Sequence, residues 1–358
     1  MEHRTQFEFA GIVCCKIMIG VLTGSYFLRD WFIPFVTYFI DSGWQNPWDY
    51  FLQKGELKAF PYGTVMLYLT TLGKVIVLPL QGLFGAHIVI DKLGFTLVFV
   101  AADILVYKIL CEWFPDQKQK IFYVYFCSPI LLYAVYYHGQ LDLIPVAMLM
   151  LSLFFLLKKQ YEGSSLILGL ATNAKFNIVI TLPFILIFLW KRRLYKKACF
   201  FLLLSLAGYI LPMFPFAFSE GYRQMVFQVK EQQWVFDLLI PYEGQSFYLL
   251  IMPIFLGLLF LNYASYGRIS RETLLMFIGL VFMMLVTLVK PMPGWYIWSY
   301  PFLVYAFFAY DDFPRFPVMI LPLTYYVYFI FNSNSTALDS LSLFNQAFQH
   351  APPPGSVD

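Results

Sequence analysis

Charge is scarce in this sequence. Of 358 residues, 24 are Lys or Arg and 21 are Asp or Glu, which is 13% of the chain, against about 25% in an ordinary soluble domain. The net charge of +3 is too small to point to a nucleic-acid partner. Cysteine is scarce as well. The five, at positions 14, 15, 111, 127 and 199, form no CxxC spacing and no disulfide framework, so they read as thiols inside or beside apolar runs. An internal repeat of the kind that builds secondary transporters is also missing. What the sequence has instead is apolar and aromatic residues, at 60% and 21%, with a mean hydropathy of +0.68. They come in runs, not at every third or fourth position. A soluble globular domain, a disordered chain and a coiled coil are therefore excluded. The composition is that of an all-α polytopic membrane protein with the lipid bilayer as its main partner.

A spanning helix needs roughly 20 apolar residues at about 1.5 Å of rise each. The clear candidates are 9–28, 88–110, 121–137, 141–157, 198–216, 246–263, 272–289, 295–310 and 316–332. The opening MEHRTQFEF leads into the first of these without a small-residue cleavage site, and reads as part of a retained helix and not as a signal peptide. Two stretches are ambiguous. Residues 63–84 are interrupted by Lys74 and Pro79. Residues 165–190 read either as one crossing or as a hairpin of two short helices with Asn173 and Lys175 at its tip.

The positive-inside rule separates the two readings. Basic residues cluster at Lys118/Lys120, Lys158/Lys159, Lys191–Arg193 with Lys196/Lys197, Arg268/Arg271 and Arg315. If 63–84 is a juxtamembrane helix that dips and returns, and 165–190 is a hairpin, every cluster is cytoplasmic. If both cross, Lys118, Lys120, Lys158 and Lys159 move outside. The first reading predicts about eleven transmembrane helices, N-terminus in and C-terminus out. It forms one domain over 1–332, with long outer segments at 29–87 and 217–245 and a flexible tail at 333–358. Hairpin arms of about 12 residues reach only roughly 18 Å, which is tolerated where they line a protein cavity.

On that topology the polar residues converge on the outer face. Asp41 and Asp49 lie in the first long segment. His138, Gln140 and Asp142 lie in YHGQLDLIP. Asn173 and Lys175 tip the hairpin, Lys290 opens KPMPGWYIWSYP, and Arg223, Lys230 and Glu231 lie in the second long segment. Ionisable groups at membrane depth are functional suspects by default. Together they suit sugar transfer from a polyprenyl-phosphate donor. A carboxylate takes a proton from the acceptor hydroxyl, and cations neutralise the departing phosphate. Lys175, Lys290 and Arg223 are the candidate phosphate ligands. His138, Gln140, Asp142 and the aromatic Tyr62, Trp295 and Tyr296 are the candidate substrate-binding groups.

In order and spacing, Asp41, AFPYG, VFVAADILVYKIL, YHGQLDLIP, LATNAKFNIVITLPF and KPMPGWYIWSYPFLV resemble the GT-C glycosyltransferases. The nearest likeness is to the GPI-anchor mannosyltransferase catalytic subunit and bacterial polyprenyl-phosphate-sugar transferases. The resemblance covers roughly residues 9–190 and 285–305. It implies a GT-C-type fold, an acidic base in the first outer loop at Asp41 (with Asp49 the alternative), and inverting transfer to a glycan or glycolipid acceptor. Asp41 is followed by Ser42 and Gly43, where the GPI enzyme carries two aspartates one residue apart. A divalent metal is therefore not indicated, and no cofactor is expected. Small size and short loops lead us to expect a bacterial inner membrane with the site facing the periplasm or exterior.

Structural roles compete at each position. Asp41 could cap the following helix, Asp49 could serve a helix dipole, Asp142 could do the same, and Lys175 could form a structural salt bridge. Asp103, inside AADILVYKIL, reads as a structural ion-pair partner. A transporter or flippase of lipid-linked sugars, and a non-catalytic subunit of a glycan-assembly complex, are the alternatives in function.

Overall fold

Apolar runs in lipid can satisfy their backbone groups only within helices or closed barrels, and this chain uses helices. The computed structural model describes residues 2–23, 27–85, 88–228, 239–242, 245–248, 251–264, 267–289, 291–310 and 315–332. Its long helices are α1 (Glu2–Leu22), α4 (Thr64–Phe84), α5 (Ile88–Trp113), α8 (Leu143–Leu157), α9 (Tyr161–Ala174), α10 (Leu182–Lys191) and α11 (Tyr195–Met213). After these come α13 (Ile251–Ala264), α14 (Arg271–Leu288), α15 (Tyr296–Ala309) and α16 (Arg315–Asn332). The first long outer segment holds the short α2 (Ile33–Asp41) and α3 (Pro47–Gln53). Between α5 and α8 a bent pair, α6 (Pro115–Phe126) and α7 (Pro129–Tyr137), turns by 41° at Ser128, whose hydroxyl caps α7 by accepting from the Ile130 amide. The short α12 (Glu220–Tyr222) follows α11, and a two-stranded antiparallel hairpin pairs Leu239–Tyr242 with Gln245–Tyr248.

By length and composition, four described helices are able to cross a membrane, or six if each bent pair is one span. The chain is thus an α-helical integral membrane protein. The tally falls below the eleven expected from hydropathy because several apolar helices, such as Leu143–Leu157 and Ile251–Ala264, are shorter than a full crossing.

Contacts between turns sort the molecule into two ends. At one end the Lys197 ammonium sits 4.4 Å from the Tyr161 ring centre, and Arg192 donates to the Ile269 carbonyl at 3.2 Å. Trp113 meets Tyr305 with ring centres 5.4 Å apart, and Arg271 donates to the Tyr305 hydroxyl. The basic clusters at 158–159, 191–197 and 268–271 share this end. At the opposite end Asp142 pairs with Lys175, Thr64 bonds Asn173, and Gly294 packs on Gln140.

This arrangement makes 161–191 a hairpin. Helix α9 rises from the basic end and stops at Lys175, whose backbone is extended (φ −150°, ψ 119°), and a tight turn over Phe176–Thr181 leads into Pro183 at the start of α10. Helix α4 is long enough to cross, yet its first turn is tied to Asn173 and its later turns to Asp91 in the first turn of α5. Lys74 pairs with Asp91 at 2.9 Å, and Gln81 donates to it at 2.7 Å. The first turn of α4 and its later turns at Lys74 and Gln81 therefore lie in the half holding Asp142.

Inside the bundle, the Lys16 ammonium of α1 lies 2.5 Å from Asp103 of α5, both fully buried, and Tyr136 donates to the same carboxylate at 2.8 Å. Asp103 is thus an ion-pair partner, the role its place in the sequence indicated. Cys111 is buried, whereas Cys14, Cys15 and Cys199 face outward from their helices.

Candidate functional site

The turn between α7 and α8 is built on Gly139, whose φ of +70° suits a residue without a side chain. Leu28 closes over it, so any Cβ there would press on the leucine. The turn places His138 and Asp142 side by side beneath the surface. Asp142 begins α8 without capping it. Its Oδ1 accepts instead from the Lys175 ammonium and from Trp298 Nε1 at 2.6 Å, and its Oδ2 accepts from the Tyr62 hydroxyl at 3.4 Å. Lys175 is also sandwiched, 5.0 Å from the ring centres of both Tyr62 and Trp298. A buried carboxylate is tolerable only when paired and hydrogen-bonded, and three distant segments of the chain supply that here.

Burial controls the neighbouring titratable groups. His138 is 2% exposed, with the Phe27 ring centre 5.3 Å away. Desolvation pushes its pKa down from 6.5 to about 4, although the Asp142 charge pulls the other way, so the imidazole is neutral near pH 7. Burial, then the same carboxylate, pushes the Tyr62 phenol well above its usual range.

Asn173 fixes the hairpin tip. Its side-chain oxygen accepts from Thr64 Oγ1 at 2.9 Å and from the Val65 amide at 2.8 Å, closing the start of α4, and its amide donates to the Tyr209 carbonyl at 2.8 Å. Gly63 allows this approach, since a Cβ there would run into the Asn173 carbonyl.

Lys175 opens onto a cavity of about 490 Å³. Its wall includes the polar Lys58, Tyr62, Gln140, Lys175 and Asn177, the indoles Trp31, Trp295 and Trp298, and the apolar Val179 and Ile180 of the hairpin turn, Phe255 of α13, and Met284 and Leu285 of α14. A mostly apolar lining with a few polar groups suits an amphiphilic ligand.

Of the residues singled out from sequence, Tyr62, Gln140, Lys175 and Trp295 line this cavity. His138 and Asp142 pack behind the wall. Tyr296 turns away, its ring meeting Tyr325 and Phe329 at 5.1 and 5.9 Å. Arg223 is exposed, while Val226 of the same turn reaches the cavity wall. Asp41 is exposed at the end of α2, and the cavity wall does not include it. Lys290 and Lys230 lie outside the described residues.

Asp49 is a structural clasp. Its carboxylate accepts from Asn46 at 2.6 Å, Ser219 at 2.7 Å and the Gly221 amide at 2.9 Å, tying α3 to α12. Asn46 is the residue that caps α3, accepting from the Trp48 and Asp49 amides, so the capping role considered for Asp41 falls to it.

Lys58, Trp31, Asn177 and Trp298 are among the cavity residues that sequence reading passed over. Lys58 lies in the GELKAFPYG string and Trp298 in GWYIWSYP, so both stood beside residues that were chosen. Among the described residues, no group of three or more His, Cys, Asp or Glu side chains gathers as a metal site would. No family model, curated protein or solved structure matches this chain.

Proposed function

We propose that this chain is a membrane glycosyltransferase of the GT-C kind, moving a sugar from a polyprenyl-phosphate donor to a glycan or glycolipid acceptor. The observation that carries this reading is the cavity itself, a largely apolar pocket whose wall includes Lys175. The lipid tail would lie against α13 and α14, and the phosphate would face Lys175. Trp295 and Gln140 would border the sugar. With the basic clusters cytoplasmic by the positive-inside rule, the cavity opens on the outer side. The eleven crossings expected from hydropathy then count the short hairpin arms.

In this reading Asp41 is the general base. It removes the acceptor hydroxyl proton as the oxygen attacks the anomeric carbon opposite the departing phosphate, with inversion. Phe32 borders the cavity, and Asp41 ends the helix that follows, roughly 13 Å further along at 1.5 Å per residue. The acceptor would therefore approach from the outer surface, above the cavity. Asp142 and Asp49 each accept three hydrogen bonds already, whereas Asp41 is exposed, and the acceptor and the end of α2 would have to come together for it to reach the reacting hydroxyl. The same occupancy supports a second reading, a non-catalytic subunit that binds lipid-linked sugar.

The test is release of polyprenyl phosphate from a panel of labelled polyprenyl-phosphate sugars by purified protein. Turnover that falls about 10²–10⁴-fold in Asp41→Asn, with donor binding kept, is the expected result for a general base. Donor binding without release in the wild type would select the subunit reading. Unchanged release in Asp41→Asn would remove Asp41 as the base.

A further inference from the structure

Asparagine in a tight turn ordinarily satisfies its side chain by bonding to nearby backbone groups. Asn177, the second residue of the Phe176–Thr181 turn, does not. Its carboxamide oxygen and nitrogen are both closed off from solvent, and neither has a hydrogen-bond partner among the described residues. Such a group costs free energy unless something pairs with it. The turn around it is well fixed. The Ile178 amide donates to the Lys175 carbonyl at 3.2 Å, the Thr181 hydroxyl donates to the Ile178 carbonyl at 2.8 Å, and Ile178 is fully buried. Asn177 is therefore held on the cavity wall by its backbone while its amide is left idle.

We infer that Asn177 reads the sugar in this cavity, its amide pairing with hydroxyl groups of a lipid-linked sugar and setting a preference for the sugar-bearing lipid over the bare lipid phosphate. This rests on the proposed reading of the cavity as a site for a lipid-linked sugar, and it names the residue on which recognition of the sugar depends. The idle amide tells the two parts of such a ligand apart. A carboxamide offers one acceptor oxygen and two donor hydrogens. An ionised phosphate ester supplies acceptor oxygens, so it would leave the Asn177 oxygen unpaired. A hydroxyl both donates and accepts, and two neighbouring hydroxyls on a sugar ring match both edges of the amide. The chain also sets Asn177 close to the place the proposed reading gives the phosphate. Lys175 is two residues away, a span of at most roughly 7 Å in extended chain. Gln140 is likewise two residues from Asp142, the partner of Lys175, and it lines the same cavity. The last torsion of an asparagine side chain is broad, so a rotation there brings the amide edge to a ligand without moving the turn.

Binding to purified full-length protein in detergent tests this, read by quenching of tryptophan fluorescence, since Trp31, Trp295 and Trp298 border the cavity. The probes are polyisoprenyl-phosphoryl mannose, polyisoprenyl-phosphoryl glucose and the bare polyisoprenyl phosphate of the same chain length. Wild-type protein should prefer at least one sugar-bearing lipid over the bare phosphate by about 3- to 10-fold, the scale of one neutral hydrogen bond. Asn177→Leu keeps the approximate size of the side chain and removes both polar edges. It should bring that ratio close to one, leave affinity for the bare phosphate unchanged, and hold or raise the thermal midpoint, because no hydrogen bond within the protein is lost. If leucine lowers the midpoint, Asn177→Ala repeats the measurement with a smaller side chain. A variant of normal midpoint that retains the full preference overturns the assignment of Asn177 and leaves the lipid-linked-sugar reading standing. A lowered midpoint in both variants makes the amide part of the fold and overturns the assignment in the same way. Wild-type protein that binds both sugar lipids no better than the bare phosphate also overturns it, with the lipid-phosphate part of the reading intact. Binding of none of the three probes overturns that reading and this inference together.

Discussion

Lys175 and Asp142 were each conspicuous in the sequence as a charge in an apolar setting, and each had a bland explanation of its own. Their pairing was not legible, because it requires the 161–191 segment to fold back as a hairpin and bring its tip to the start of α8. The pair is both structure and site, and this makes its mutants informative. Asp142→Asn leaves the lysine without its counter-charge and should cost about 3 kcal/mol, the scale for removing one partner of a buried pair. Replacing both by apolar residues in Lys175→Met/Asp142→Leu should recover much of that loss. Thermal midpoints in detergent would check this, and a double variant less stable than Asp142→Asn would show that the pair is not the source of the effect. Next to it, His138 makes stability depend on pH. Its folded pKa is about 4 against an ordinary 6.5. Between those values the unfolded chain binds a proton that the folded chain refuses, so stability is complete above the window and falls as pH drops through it. His138→Gln should flatten the difference in midpoint between pH 7 and pH 4.5, and an unchanged slope would place the sensitivity on the carboxylates.

Among the elements, the bundle is joined by two kinds of contact that hydropathy cannot report. One is the buried Lys16–Asp103 pair with Tyr136, which locks α1 to α5 and α7. The two residues are separated by most of three helices in sequence, so composition marks each as unusual without naming the partner. The other is close backbone approach. Gly169 of α9 lies against the Ser205 carbonyl and Gly208 of α11, leaving no room for a Cβ, and Ser205 donates to the Ser165 carbonyl at 3.0 Å. Small residues let membrane helices approach closely enough for dispersion and hydrogen bonds to hold them together. Because α9 ends at Asn173 and Lys175, its separation from α11 should disturb the cavity as well as stability. Gly169→Val should lower stability by about 1–3 kcal/mol, the usual cost of overpacking, and weaken polyisoprenyl phosphate binding with it. Loss of stability without loss of binding would show that the hairpin tip is held by its own hydrogen bonds to Thr64, Val65 and Tyr209. The hairpin itself was legible, since Asn173 and Lys175 interrupt an otherwise apolar stretch and only a turn accommodates them at low cost. The role of Asp49 was not, because its partners Ser219 and Gly221 lie beyond eight intervening helices.

Across the whole molecule, the asymmetry of charge was legible from sequence and the depth of each helix was not. Counting lysines and arginines chose a folded-back 165–190 and a dipping 63–84, because only those keep the clusters together. The contacts of Tyr161 with Lys197 and Arg192 with Ile269 show 161–191 folded back on itself, and those of α4 with Asn173 and Asp91 put its first and later turns in one half of the molecule. Hydropathy windows cannot see that these turns of α4 share one half, since its length and composition are those of a crossing helix. The placement makes a prediction about sidedness in the living membrane. Gly139 is a poor reporter, because Leu28 covers it and its backbone is left-handed. Gln45, between α2 and α3, and Gln160, between α8 and α9, are exposed and lie at opposite ends. Single cysteines at these two positions, in a background where the five native cysteines are replaced, should differ in intact cells. The residue-45 cysteine should react with an impermeant maleimide, and the residue-160 cysteine should react only after the membrane is opened. The energetic reason is the retention of positive charge on the cytoplasmic side during insertion, counted over short loops such as the one holding Lys158 and Lys159. Reaction at both positions in intact cells would break the two-ended arrangement, and reaction at residue 160 alone would invert it and place the cavity on the cytoplasmic side, where a lipid-linked donor would have to be used before it is flipped.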